Sequence, residues 1–164
     1  MPPKAKFTKE QITYAALEIV RENGIDRLTA RTLAKKLESS SCPIFTVFEN
    51  MQEVQQSVIE AAKACYKGYV EKGLADTDAF KGVGTQYIFF AIREPKLFQL
   101  LFMSEQASAP NIDKILPSIE ENYERILNSI TESYGLDEKT AERLYRHLWI
   151  YSHGIAALCA TKMC

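Results

Sequence analysis

The side chains best suited to chemistry are gathered in one stretch, LTARTLAKKLESSSCPIFTVF, residues 28–48. Thr29, Ser40, Ser41, Cys42 and Thr46 are short and polar, and Arg31 and Phe45 stand beside them. No spacing among them pairs a nucleophile with a base or gathers metal ligands. Their types suit contact with a polyanion instead. A hydroxyl and a helix N-terminus can hold a phosphate, a guanidinium adds charge, and small exposed side chains can reach base edges. On that chemistry, removing Arg31 weakens binding to all sequences alike, whereas changing Cys42 or Thr46 alters preference.

Two short helices must position these groups. Thr29 is a good N-cap for a helix with Leu33, Ala34 and Leu37 on one face. Glu38, Ser39, Ser40 and Ser41 interrupt that pattern, and a second short helix follows with Ile44, Val47 and Phe48 as its buried positions. This is the pattern of a helix-turn-helix, whose second helix enters the DNA major groove; a plain helical hairpin in a bundle shares it. Upstream, Thr8 and Gln11 fit a capping box, and Phe7 and Ile12 a hydrophobic staple. Ile12, Ala15, Ala16, Ile19 and Val20 then form an apolar stripe that stops at Asn23 and Gly24. A three-helix unit is therefore expected ahead of residue 50, with Lys4 and Lys6 on an arm before it.

The segments ALEIVRENGIDRLTARTLAKKL and SSSCPIFTVFENMQEV carry a resemblance that runs without a gap over residues 7–58. They resemble the DNA-binding domain of the tetracycline-repressor (TetR) family of bacterial transcriptional regulators. A second, independent stretch, HLWIYSHGIAAL, is similar to the Trp…His-Gly helix of one class of TetR-type ligand domains, through Trp149, His153 and Gly154. The resemblance implies a ligand-responsive regulator, expected to be a repressor. Its homodimer would bind a palindromic operator in double-stranded DNA, and a small apolar or amphipathic effector would release it. Residues 1–50 would bind DNA, and residues 51–164 would bind ligand and dimerise. Against the family's pattern, Glu38 stands where glycine is usual, Phe45 replaces a phosphate-binding Tyr, and Val47 replaces the second aromatic. Glu49 and Met51 occupy places where lysines are frequent. These departures weaken phosphate contacts, so weak or strongly salt-sensitive DNA binding is expected. They also keep an alternative open: a helical ligand-binding or interaction protein that has lost strong DNA binding.

The rest of the chain reads as all-α. Val54, Val58, Ala61, Ala62, Cys65 and Tyr69 form the stripe of a long helix ending near Gly73. A further helix starts at residues 76–78 and is broken at Glu94 and Pro95, where the next begins. Residues 104–111 read as a loop. Ile119, Tyr123, Ile126, Leu127 and Ile130 read as one long helix stopped at Gly135, with Pro117 at its start or at a kink. Asp137 caps the last helix. Family members usually continue into one more helix past the Trp…His-Gly segment, and their final helix pair builds the dimer interface. Either this chain is short at its C-terminus, or dimerisation rests on residues 138–160.

Bundle interiors are common ligand sites, and Tyr87, Phe90, Phe102, Trp149 and His153 are the expected lining residues. His147 and His153 are six positions apart, about 240° around a helix, so they cannot share one face as metal ligands. His153 is expected to be packed or hydrogen-bonded, with Gly154 admitting another backbone. Tyr145, Leu148, Ser152, Ala156 and Ala160 fall near one face of the last helix and are the expected dimer contacts. The net charge is −1, with +2 on residues 1–50 and −3 on the remainder. Cys42, Cys65, Cys159 and Cys164 show neither metal nor redox spacing and suit free thiols in a reducing cytoplasm. With no phosphate-cradling loop, metal cluster or placed nucleophile, neither catalysis nor a cofactor nor a metal is expected. No apolar run is long enough to span a membrane, and no signal peptide is visible.

Overall fold

The computed structural model describes residues 6–105, 111 and 114–164. Lys4 and most of the 104–111 loop lie outside the described residues. Within them the chain forms eight α-helices and no strand. They are α1 (Lys9–Asn23), α2 (Ala30–Lys36), α3 (Met51–Leu74), α4 (Ala79–Arg93), α5 (Pro95–Phe102), α6 (Ile115–Ile119), α7 (Tyr123–Tyr134) and α8 (Glu138–Ala160).

The start signals written in the sequence act as expected. Thr8 accepts from Gln11 N while the Gln11 side chain accepts from Thr8 N, a complete capping box on α1. Thr29 does the same for α2 with Thr32. Asn50, Asp78 and Asp137 cap α3, α4 and α8. Each cap satisfies a backbone N–H that the first turn leaves without an intrahelical partner.

α1 and α2 lie against the N-terminal half of α3 around Ile12, Ala16, Val20, Leu33, Ile44, Phe48 and Val54, all buried. Thr13 and Ser57, and Lys9 and Glu53, bond α1 to α3. Arg21 ties the far end of α1 to Glu94, at the corner between α4 and α5. α4 is the central helix, packed on α3, α5, α7 and α8. α3 and α4 touch backbone to backbone: a Cβ on Gly73 would stand 2.6 Å from Val83 N and Cα. Only glycines permit that crossing.

Two expectations need correction. The second helix of the helix-turn-helix is a single 3₁₀ turn, Ile44–Thr46, closed by Val47 N–H on Ile44 O. Ser40 and Ser41 stay outside it and Pro43 opens it, so that one i→i−4 bond, Phe48 N–H on Ile44 O, is all that follows the turn. The long helix expected through residues 119–134 is two pieces: α6 ends at Ile119, Glu120 is extended (φ −111°, ψ 105°), and α7 starts at Tyr123. Cys159 and Cys164 are free, but a turn with positive φ at Lys162 brings their sulfurs within 3.3 Å.

Candidate functional site

Two features of different kind emerge, a small polar outer surface on the N-terminal helices and a hollow in the C-terminal ones.

The outer surface begins where α2 stops. Glu38 N–H bonds Lys35 O and Ser39 N–H bonds Ala34 O, a Schellman closure that requires left-handed backbone at Glu38 (φ 48°). This is the place where the family usually carries glycine, so the sequence departure is a real conformational cost. Beyond it Ile44 and Phe48 are buried, anchoring the 3₁₀ turn in the N-terminal core. Between these anchors Ser40, Cys42 and Thr46 are exposed, Phe45 is 43% exposed, and Ser41 is half-buried. Thr46 Oγ1 donates to Pro43 O, so its hydroxyl is engaged within the turn. Thr29 and Arg31 are exposed at the start of α2. Lys6 Nζ donates to Ser39 Oγ at 3.0 Å, which holds the Lys6 side chain beside the turn. The expected DNA-facing residues among those described are thus exposed apart from half-buried Ser41, and those of residues 40–46 lie on a shorter element than foreseen.

The hollow lies between α4 and α8 and has a volume of about 500 Å³. Its floor is buried and aromatic, with Tyr66 from α3, Tyr87 from α4 and Tyr145 from α8. Phe80 and Trp149 form part of its sides. The exposed lining residues Lys81, Thr85, Tyr134 and Leu148 mark its mouth. The rings brace one another edge to face: Tyr66 on Tyr87 (6.1 Å, 78°) and Phe80 on Tyr145 (5.7 Å, 89°).

Polar groups are few and connected. Tyr66 Oη donates to Glu120 Oε2 at 2.7 Å, and Asn122 N–H donates to Glu120 Oε1 at 3.0 Å. Burial first, and the Glu120 charge after it, push the Tyr66 and Tyr87 phenols well above the usual tyrosine range. Both remain neutral hydrogen-bonding groups at any physiological pH. Tyr87 Oη lies 2.8 Å from His153 Nδ1, and His153 stacks on Trp149 (5.0 Å, 24°). Burial lowers the pKa of His153, which favours the neutral ring.

Of the five expected lining residues, Tyr87 and Trp149 face the cavity. Phe90 is fully buried against Tyr66, Tyr69 and Phe98 and belongs to the solid core. Phe102 packs on Tyr66 and Tyr87 and faces a separate cleft between α3, α5 and α6. His153 supports Tyr87 and Trp149 from behind, as a packed, hydrogen-bonded residue. Sequence reasoning missed Glu120, because in one continuous helix it reads as a surface acid; the break after α6 turns it inward.

The expected dimer face also moves. Tyr145, Leu148 and Ser152 line the cavity, while Ala156 and Ala160 are buried inside this chain, where Gln99 Nε2 donates to Ala160 O. Their three- and four-residue spacing marks the inward side of α8. Gly154 admits no backbone of its own chain: nothing lies within 4 Å of a Cβ built there.

The family model described as the tetracyclin repressor-like C-terminal domain matches residues 80–163, which carry most of the cavity wall. The chain belongs to the TetR family. No curated protein matches it. In this TetR-type regulator the matched segment begins at Phe80 on the cavity's side and runs past Trp149, His153 and Gly154. No helix among the described residues is long and apolar enough to cross a membrane.

Proposed function

We propose that this TetR-family protein is a ligand-responsive transcriptional repressor. Residues 1–50 bind a palindromic operator, and residues 51–164 bind a small apolar or amphipathic effector and a second copy of the chain. The observation that carries the reading is the aromatic-rich cavity of about 500 Å³ walled mostly by the family-matched segment. That size and lining suit a small organic molecule. α3 links it to the DNA-facing turn, since Tyr66 forms part of its floor and Val54 packs in the N-terminal core. An effector releases DNA only through different affinity for two arrangements of these helices.

The second copy fits the outward side of α8. Ile150, Tyr151 (70% exposed) and Leu158 are apolar and unburied there, and Gly154 lies open between them at helical spacing. Burying such a patch in an isologous contact suits two-fold pairing on a palindrome.

A gel-shift titration with DNA from beside the protein's own gene tests the reading. Retarded complex that disappears on adding effector supports it, and Arg31→Ala should weaken all sequences alike while Thr46→Ala shifts preference. The second reading, a ligand-binding protein without strong DNA affinity, is favoured by one observation. The recognition element is only a 3₁₀ turn flanked by exposed Glu38 and Glu49. Absence of any retarded complex at low salt, with ligand binding intact, would establish that reading instead.

A further inference from the structure

Glu120 is the least expected group in the cavity. It is 7% exposed and stands between the hollow and the cleft of α3, α5 and α6, lining both. Lys63 and Lys67 line the cleft, but no Lys or Arg among the described residues forms an ion pair with Glu120. Two donors reach it, Tyr66 Oη and Asn122 N–H, one on each oxygen, which leaves half of its acceptor capacity unused. The carboxylate is locked in place. Asn122 Oδ1 accepts from Arg125 Nη1 at 2.9 Å, and Arg125 forks onto Glu71 of α3. A buried carboxylate without a counter-charge is costly, and a cation from outside would supply the missing partner.

The rest of the lining agrees. Tyr66, Tyr87, Tyr145, Phe80 and Trp149 present ring surface to the hollow, and ring faces attract cations. The charged lining residues are Asp78, Glu120 and, at the exposed mouth, Lys81, so acids outnumber bases. An anionic ligand would meet Glu120 with no positive group beside it.

We propose that the cavity takes an organic cation, an ammonium or amidinium on an apolar or aromatic body, with Glu120 as its counter-ion. This rests on the reading of the cavity as the effector site. The cationic head lies against Glu120 and the tyrosine rings, and the apolar body extends between Phe80, Trp149 and Leu148 toward the mouth.

Calorimetric titration of the full chain at pH 7 with 4-phenylbutylamine, 4-phenylbutanol and 4-phenylbutyrate tests it, because the three share one body and differ in charge. The amine should bind about tenfold more tightly than the alcohol, and the carboxylate most weakly. Glu120→Gln should bring amine and alcohol to nearly equal affinity. Should that variant fold poorly, the ranking of the three probes on the unmodified protein still decides. Alcohol binding as well as or better than amine would overturn the proposal and leave the cavity as an effector site. An unchanged preference for amine in folded Glu120→Gln would overturn the role of Glu120. Binding of none of the three would overturn the proposal and count against the cavity itself.

Discussion

The N-terminal helices and the α4–α8 layer are built from the same material, amphipathic helices with good caps, yet one is solid and the other hollow. Around Ile12, Ala16, Leu33, Ile44 and Phe48 branched aliphatic side chains and one ring interdigitate, and every one is buried. Between α4 and α8 large planar rings meet edge to face and hold their helices apart, and Gly84 contributes no side chain to the gap. The difference separates two ways of working. The N-terminal unit presents rigid outer atoms whose geometry must not drift. The bundle keeps an unfilled interior whose occupancy can change.

The contrast is broken most severely at Phe48. Phe48→Ala should cost about 3–5 kcal/mol in denaturant unfolding, because the surrounding core cannot collapse into the gap. Leu148→Ala, at the cavity mouth and 44% exposed, should cost less than about 1 kcal/mol. Equal losses would show that the hollow is as tightly packed as the N-terminal core.

Glycine sharpens the same comparison. Gly73→Ala forces a methyl onto Val83 backbone and should destabilise by about 1–3 kcal/mol. Gly84→Ala, one residue past Val83 on α4 and facing the cavity with nothing within 4 Å, should instead stabilise by about 1 kcal/mol through helix propensity. Thermal melts of the pair give opposite signs if the crossing is tight and the cavity real.

At the end of α2, Glu38→Gly should raise stability by about 0.5–1 kcal/mol, since glycine adopts positive φ without strain. No gain in Tm would mean that Glu38 does not hold the left-handed conformation.

The smallest effect concerns pH. Burial lowers His153, so the unfolded chain takes up its proton first as pH falls. Stability from this residue is complete above pH 7 and declines as pH drops through about 6.5. Melts from pH 8 to 5 should show that loss, and His153→Gln should flatten it. An identical profile in the variant would assign the loss to other groups.

The helix starts at Thr8, Thr29 and Asp137 and within residues 76–78 were legible, because these caps act through bonds to residues three positions on; Asn50, which caps α3 in the same way, was not singled out. The helix stops at Glu94–Pro95 and Gly135, and the family, were legible too, because they depend on local backbone chemistry and contiguous motifs. Tertiary structure decided which way each amphipathic face turned. The stripe through Tyr145, Leu148, Ser152, Ala156 and Ala160 is equally good for a neighbour helix or a second copy, and in the fold it turns mostly toward α4, α5 and α7 of its own chain. Phe90 and Tyr87 lie three positions apart on one helix, yet only packing against Tyr69 and Phe98 removes the first from the cavity. Glu120 reads as a surface acid until the chain breaks after α6 and turns it inward. Periodicity records that a face is buried but not against what, and that choice belongs to contacts between residues far apart in the chain.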